Sequence, residues 1–338
     1  MRPAGLLRGG IFAVLVLAMP LMTSAHWILN IAVFTVMYAG LALAWNLIGG
    51  FAGYPSLGHA AFFGIGAYVE AIWFNHHSVG AGYLPFFVLP IVGLAVAFAM
   101  LPVAWVALRT RADVFAIVTI TLLFVVQTLA FNLHSVTEGS QGIGIHPPPF
   151  DPATYERPFY WAMAAIFLLA MIVTWLVQNS KTGLALLAIR GDEDRASGIG
   201  VHVTLAKLVA FFLSTALTAM IGAVWAYYVT FIYPQFAVDP LVTIGMVLMT
   251  FLGGRATLWG PVVGALILAP AQQYLAYQFG SSRLYLLAYA AVFLIVMVFL
   301  PRGIVPTLAE WRFSRRRAAR AATAGIRPQS RRQQVTTP

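Results

Sequence analysis

The chain has no cysteine, only two lysines, and few charges of either sign. Without cysteine there are no disulfides, no thiolate catalysis and no cysteine-ligated metal. Both lysines sit outside a phosphate-binding loop. Such a loop needs its lysine after glycine and before Ser or Thr, but Lys181 follows Ser180 and Lys207 follows Ala206. Nucleotide binding by that device is excluded. No HExxH occurs, and His76-His77 lies in a short loop without nearby acids, as a surface pair would. Charged residues make up 9% of the 338, against roughly 25% in soluble domains. Carboxylates are nearly absent from the apolar runs, Glu70 being the acid inside one, near the outer end of its helix. A proton-driven transporter needs ionisable groups at depth. This poverty points to an energy source outside the chain.

What is present is apolar: 61% of residues are hydrophobic and mean hydropathy is positive. The solvent is therefore a bilayer. The net charge of +10 does not signal nucleic acid, because nine of the twenty Lys and Arg follow Pro301 in a polar tail and most others lie between apolar runs. Apolar runs cover residues 10–27, 29–48, 58–74, 83–108, 114–133, 159–178, 205–231, 241–252, 261–279 and 284–300. The fold class expected is all-α, a polytopic membrane protein of about ten helices (roughly eight to ten, as Gly-rich segments cross, break or re-enter). The run at 241–252 is too short to cross a core of about 30 Å unaided. Residues 1–28 read as a retained N-terminal transmembrane helix, with a signal peptide as the alternative. Residues 29–300 form the main membrane domain, and 301–338 a basic, disordered tail.

With ten crossings, every Lys and Arg except Arg157 and Arg283 falls on the side of the termini. The positive-inside rule then places both termini and the polar segment 179–204 in the cytoplasm, and the loop 134–158 outside.

Two constellations stand out. The first is Asn46 to Tyr68, NLIGGFAGYPSLGHAAFFGIGAY, with a second Gly-rich joint at Phe251 to Gly264, FLGGRATLWGPVVG. Glycines mark close backbone approach or unusual dihedrals, and a membrane tolerates broken backbone only where protein or a water-lined cavity surrounds it. Gly49 and Gly53, Ala60 and Gly64, and Gly260 and Gly264 are each spaced to share a helix face. Tight packing accounts for most of these glycines. The sharper reading is a translocation path lined by Asn46, Gly49, Gly50, Gly53, Ser56, Gly58, His59, Gly64, Gly253 and Gly254. For His59 a hydrogen-bonded interior histidine stands level with path lining. Leu47-Ile48-Gly49-Gly50 and Phe251-Leu252-Gly253-Gly254 echo each other weakly, as a duplicated half-structure or as convergent use of glycine.

The second constellation is KTGLALLAIRGDEDRASGIG at 181–200. Leu184, Leu187 and Ala188 can form a short apolar face. Arg190, Asp192, Glu193, Asp194 and Arg195 make a dense mixed-charge surface, and Ala196 and Gly200 complete the pattern acid-x-Ala-x-x-x-Gly. A short helix and Gly turn between spans can dock into a groove of another protein.

The blocks NLIGGFAGYPSLGHAAFFGIGAY, AIRGDEDRASGIGVHVTLAKLVAF and FLGGRATLWGPVVGAL, in this order and spacing, resemble the permease subunits of branched-chain amino acid ABC importers, the LivM type, over roughly 30–300. The middle block resembles the EAA loop by which such permeases engage their ATPases. Asp194 stands for the acid and Ala196 and Gly200 hold the Ala and Gly, while Arg195 departs from the pattern. The resemblance implies no cofactor and no enzymatic activity in this chain. It implies a second, related permease subunit, two cytoplasmic ATPase subunits, and a periplasmic or lipid-anchored binding protein, in a bacterial inner membrane. Membrane lipid is the remaining partner, with no nucleic acid. The cargo implied is a branched-chain or related amino acid, an amide or urea. The alternatives are a stand-alone secondary transporter or channel, and a scaffold whose tail binds anionic lipid or nucleic acid.

Overall fold

A computed structural model describes residues 3–77 and 82–279, together with 287, 290, 291, 294, 303–308, 310 and 311. The expected last span, 284–300, and the tail, 301–338, fall almost wholly outside the described residues.

The chain is helical. In order come α1 (Pro3–Ala18), α2 (His26–Trp45), α3 (His59–His77), α4 (Leu84–Ala107), α5 (Ala112–Asn132) and the single turn α6 (His134–Thr137). Then follow α7 (Glu156–Gln178), α8 (Lys181–Gly191), α9 (Glu193–Gly198), α10 (Val203–Val229), the short α11 (Pro234–Ala237), α12 (Pro240–Gly253) and α13 (Trp259–Phe279). Among the described residues six helical stretches are long and apolar enough to cross a membrane: 26–51, 84–107, 112–132, 152–178, 203–229 and 234–253. The apolar run at 241–252 is thus lengthened by α11, whose Pro234 opens a turn just ahead of it. Alone, the 14 residues of α12 would rise only about 21 Å.

Local chemistry sets the ends. α1 stops at Ala18 because Pro20 disfavours helix in the residue before it, and a 3₁₀ turn follows. Asp239 caps α12 by accepting from Leu241 N at 2.8 Å, with Pro240 at the first helical position. Ser180 caps α8 and Asp192 caps α9 in the same way. Pro90 and Pro102 lie inside α4, as membrane helices allow.

α10 is the central post. It packs against α3, α4, α2 and α7, while α2 packs against α7, α12 and α13. The α3–α10 crossing is backbone on backbone. A Cβ at Gly66 would strike the carbonyl of Ala219, and one at Gly222 that of Phe63. α4 and α5 instead turn large apolar side chains outward, Phe87 (77%), Ile91 (67%) and Ile117 (64%) among them.

Opposite ends of the bundle differ. At one end lie the two Gly-rich joints, the α4–α5 turn and α8–α9. At the other, His26 Nδ1 meets Glu156 at 3.1 Å and Asn30 donates to Tyr228 at 2.6 Å. That second end also carries the only strands among the described residues, a ribbon of β1 (Ile143–Gly144) and β2 (Phe231–Ile232), antiparallel with Ile143 opposite Ile232.

Candidate functional site

The first joint begins where α2 stops being an α-helix. Asn46–Phe51 widens into a π turn, a form common at functional sites, and residues 52–58 leave helix altogether. Gly53 has φ +75°, which glycine adopts freely. Gly49 and Gly53 therefore do not share a helix face, contrary to expectation, because the ladder breaks between them. Instead Gly49 lies flat under the Trp45 ring, and Gly53 makes room for the stem of Arg190. Trp45 Nε1 donates to Ser56 O at 2.8 Å and folds the joint back over α2. Leu57 N donates to Thr119 Oγ1 at 3.0 Å, while Gly58 sits against the Thr119 carbonyl, so the joint is seated on α5.

Asn46 bridges to the second joint. Its Nδ2 donates to Thr257 O at 3.0 Å and its Oδ1 accepts from Ala256 N at 2.8 Å. Ala256 holds φ +59°, an uncommon conformation for alanine that this bond helps to secure. The two glycine-rich blocks, far apart in sequence, are thus clasped side by side, and Thr250 Oγ1 adds a bond to Ala42 O at 3.1 Å. Within the second joint Gly254 has φ +122°. Gly253 lies on the Gly260 carbonyl and Gly264 on that of Met249, so α12 and α13 meet at their backbones, as the spacing of 260 and 264 foretold. Gly303 returns to the same place, against Gly254.

His59 opens α3 and is fully enclosed. Its Nε2 lies 2.6 Å from Ser214 Oγ, and its Nδ1 lies 2.8 Å from Ser56 Oγ. The Ser214 hydroxyl donates to Ala44 O at 2.6 Å, so it must accept from the ring. That assigns the Nε2–H tautomer, with Ser56 donating to Nδ1. Asn46, Ser56 and His59 are all at zero exposure, every one bonded within the protein. Gly49, Gly50, Gly53, Gly58, Gly64, Gly253 and Gly254 are likewise placed against protein atoms. Glu70 is also enclosed rather than reaching water. Phe74 stacks on Tyr227 one turn further out, and the Tyr227 hydroxyl closes onto the Gly82 backbone. The Glu70 carboxyl oxygens have no hydrogen-bond partner among the described residues.

The segment 181–200 forms two short helices. Gly183, Leu186, Ile189 and Ala196 face inward, while Leu184 (68%) and Ile199 (79%) face out. Leu187 is exposed too, so the apolar face expected from Leu184 and Leu187 points away from the bundle. Asp194, Arg195 and Gly200 are exposed, and Gly200 turns the chain at φ +87°. Arg195 Nε pairs with Asp192 at 2.9 Å in the open. Two neighbours turn the other way. Arg190 Nη1 donates to Gly50 O at 3.1 Å. Burial, and then Arg255, pull its guanidinium below the ordinary arginine range, yet it keeps its charge. Glu193 Oε1 pairs with Lys207 Nζ at 2.8 Å, its Oε2 accepts from the Tyr54 hydroxyl, and Lys207 also donates to that hydroxyl at 3.0 Å. Burial and the Glu193 carboxylate hold the Tyr54 phenol above its ordinary range.

The structure therefore joins the two expected constellations. Tyr54, Lys207, Thr119 and Ser214 were missed from sequence. A lysine entering an apolar helix, in a chain with only two, was the available signal for Lys207.

Six helices fit to cross a membrane, broken at paired glycine joints, define a multi-pass helical membrane protein. Residues 27–300 match the model of the family described as branched-chain amino acid transport system / permease component, and the chain belongs to that family. Among its relatives are the high-affinity branched-chain amino acid transport system permease proteins LivM of Escherichia coli (strain K12) and Salmonella typhimurium (strain LT2). Each is 27% identical over 322 residues, covering 87% of this chain and 73% of the relative. No solved structure matches the chain.

Proposed function

We propose that this chain is the membrane permease subunit of an ATP-binding-cassette importer in a bacterial inner membrane. Its cargo is a branched-chain amino acid, or a related amino acid, amide or urea. About ten crossings carry both termini and residues 179–204 to the cytoplasm and 134–158 to the periplasm. Two ATPase subunits, a second related permease and a binding protein complete the machine.

The observation that carries this reading is the outward face of α8–α9. Leu184, Leu187 and Ile199 stand exposed beside Asp194 and Arg195, on a segment that is neither lipid-facing in charge nor core-facing in position. That face suits docking into a groove of a soluble subunit. Family membership supplies the transport context.

Glu70 favours a second reading. A carboxyl enclosed in a membrane helix, with no hydrogen-bond partner among the described residues, is what a gradient-driven carrier uses. Uptake into proteoliposomes separates the two. The importer requires ATP and all subunits, whereas the carrier moves solute alone down an imposed gradient. Gly200→Pro, forced out of its positive φ, is expected to abolish ATPase co-purification while the chain still inserts. Retained ATPase subunits in that variant would count against docking through this segment.

A further inference from the structure

The inward side of α8–α9 holds the glycine joint at three successive points. Arg190 closes on Gly50 O with its guanidinium and packs its stem on Gly53, where an added Cβ would lie 2.8 Å from Arg190 Cγ. Glu193 takes the next point, the Tyr54 hydroxyl, and shares it with Lys207 of α10. The lysine is 1% exposed and also lies 4.2 Å from the centroid of the Tyr54 ring.

This is an expensive way to fasten a loop. The pair is buried on the lysine side, while the Glu193 side chain is 35% exposed. The solvation that Lys207 gives up offsets much of the attraction, and an apolar side chain of equal volume in its place would hold as firmly. What charge adds is sensitivity to geometry, because the attraction and the shared hydroxyl bonds weaken once the groups part. The far side of the joint is bonded as well. Asn46 holds Ala256 and Thr257 ahead of α13, Leu57 holds Thr119 of α5, and Ser56 holds His59, which holds Ser214 of α10. A displacement of α8–α9 that carries residues 50–54 therefore reaches α5, α10 and α13 together.

We propose that Arg190, Glu193, Lys207 and Tyr54 form a transmission link, which carries movement of α8–α9 into the 46–58 joint and through it to the membrane helices. They are positioning residues, and they touch neither nucleotide nor solute. The link rests on the importer reading above, in which the outer face of α8–α9 meets an ATPase. The inference concerns the inner face.

The test uses the whole complex in proteoliposomes: this chain, its ATPase subunits, the second permease and the binding protein. The quantity read is solute taken up per ATP hydrolysed. The double variant Glu193→Gln, Lys207→Met removes both charges together, so no lone buried ion is left to unfold the chain. Uptake per ATP is expected to fall about fivefold or more, with ATPase retention and hydrolysis unchanged. Tyr54→Phe, which removes one hydroxyl, is expected to shift the ratio the same way by less, and it decides the matter if the double variant does not insert. An unchanged ratio with ATPase subunits retained overturns the link alone. Loss of the ATPase subunits from the double variant also overturns it, since these residues would then serve docking. Absence of ATPase subunits from the unaltered complex overturns the importer reading and the link with it.

Discussion

Gly264 and Gly198 show how differently one residue type is used in this chain. At Gly264 an added Cβ would press into the Met249 carbonyl, and it would lie 3.1 Å from Gly253 N. Backbone on both sides cannot rotate away. At Gly198, the last residue of α9, an added Cβ would meet nothing within 4 Å beyond its own helix among the described residues. Gly264→Ala is therefore expected to destabilise the fold by about 1–3 kcal/mol through overpacking. Gly198→Ala is expected to be neutral, or to stabilise by about 0.5–1 kcal/mol. Thermal unfolding of the detergent-solubilised protein measures both, and equal midpoints would remove the argument for backbone contact between α12 and α13. Spacing alone made the 260–264 pair legible. It misled at 49 and 53, because the same interval in sequence crosses a break in the ladder that only the Trp45 ring and the Arg190 stem explain.

Long helices were the legible elements. Apolar runs located α2, α4, α5, α7, α10, α12 and α13 to within a few residues, since a bilayer demands length and continuity that soluble packing does not. Short elements escaped for the opposite reason. The β1–β2 ribbon is two residues on each side, held by Ile145 N donating to Thr230 O at 2.7 Å and by the Ile143–Ile232 pairing, which no periodicity announces. Its geometry depends on Gly142, at φ +80° and ψ +162°, a region that side chains avoid. A Cβ there would also lie 2.6 Å from Ile232 O. Gly142→Val is expected to cost about 1–3 kcal/mol locally and to free the 134–158 loop from β2. Limited proteolysis reads this directly: cleavage within 134–158 should quicken while the membrane helices stay intact. Unchanged cleavage would mean that the ribbon does not restrain the loop.

Contacts across the whole molecule were the least legible. Asn46 finds Ala256 and Thr257 some 210 residues later, and Tyr54 finds Lys207, through the order in which helices pack rather than through any local pattern. Charge, by contrast, is a whole-molecule signal that sequence does carry. The structure gathers Arg190, Arg255, Lys207 and the α4–α5 turn near Arg111 at the joint end, and leaves Arg157 beside Glu156 at the start of α7. The positive-inside rule makes a cytoplasmic joint end the expectation to be tested. The absence of cysteine makes this easy to check, because any thiol introduced is the only one in the chain. Ser197, exposed on α9, and Ser140, exposed in the 134–158 loop, mark the two ends. A membrane-impermeant maleimide added to intact cells with a permeable outer membrane is expected to label Ser140→Cys at once. Ser197→Cys should react only after the inner membrane is opened. The reverse pattern would turn the molecule over and place α8–α9 where no ATPase could reach it. Equal labelling of both before permeabilisation would put both ends on one face and overturn this topology, in which the two sites are joined by α7, a 23-residue helix whose length of about 35 Å suffices to cross the apolar layer once.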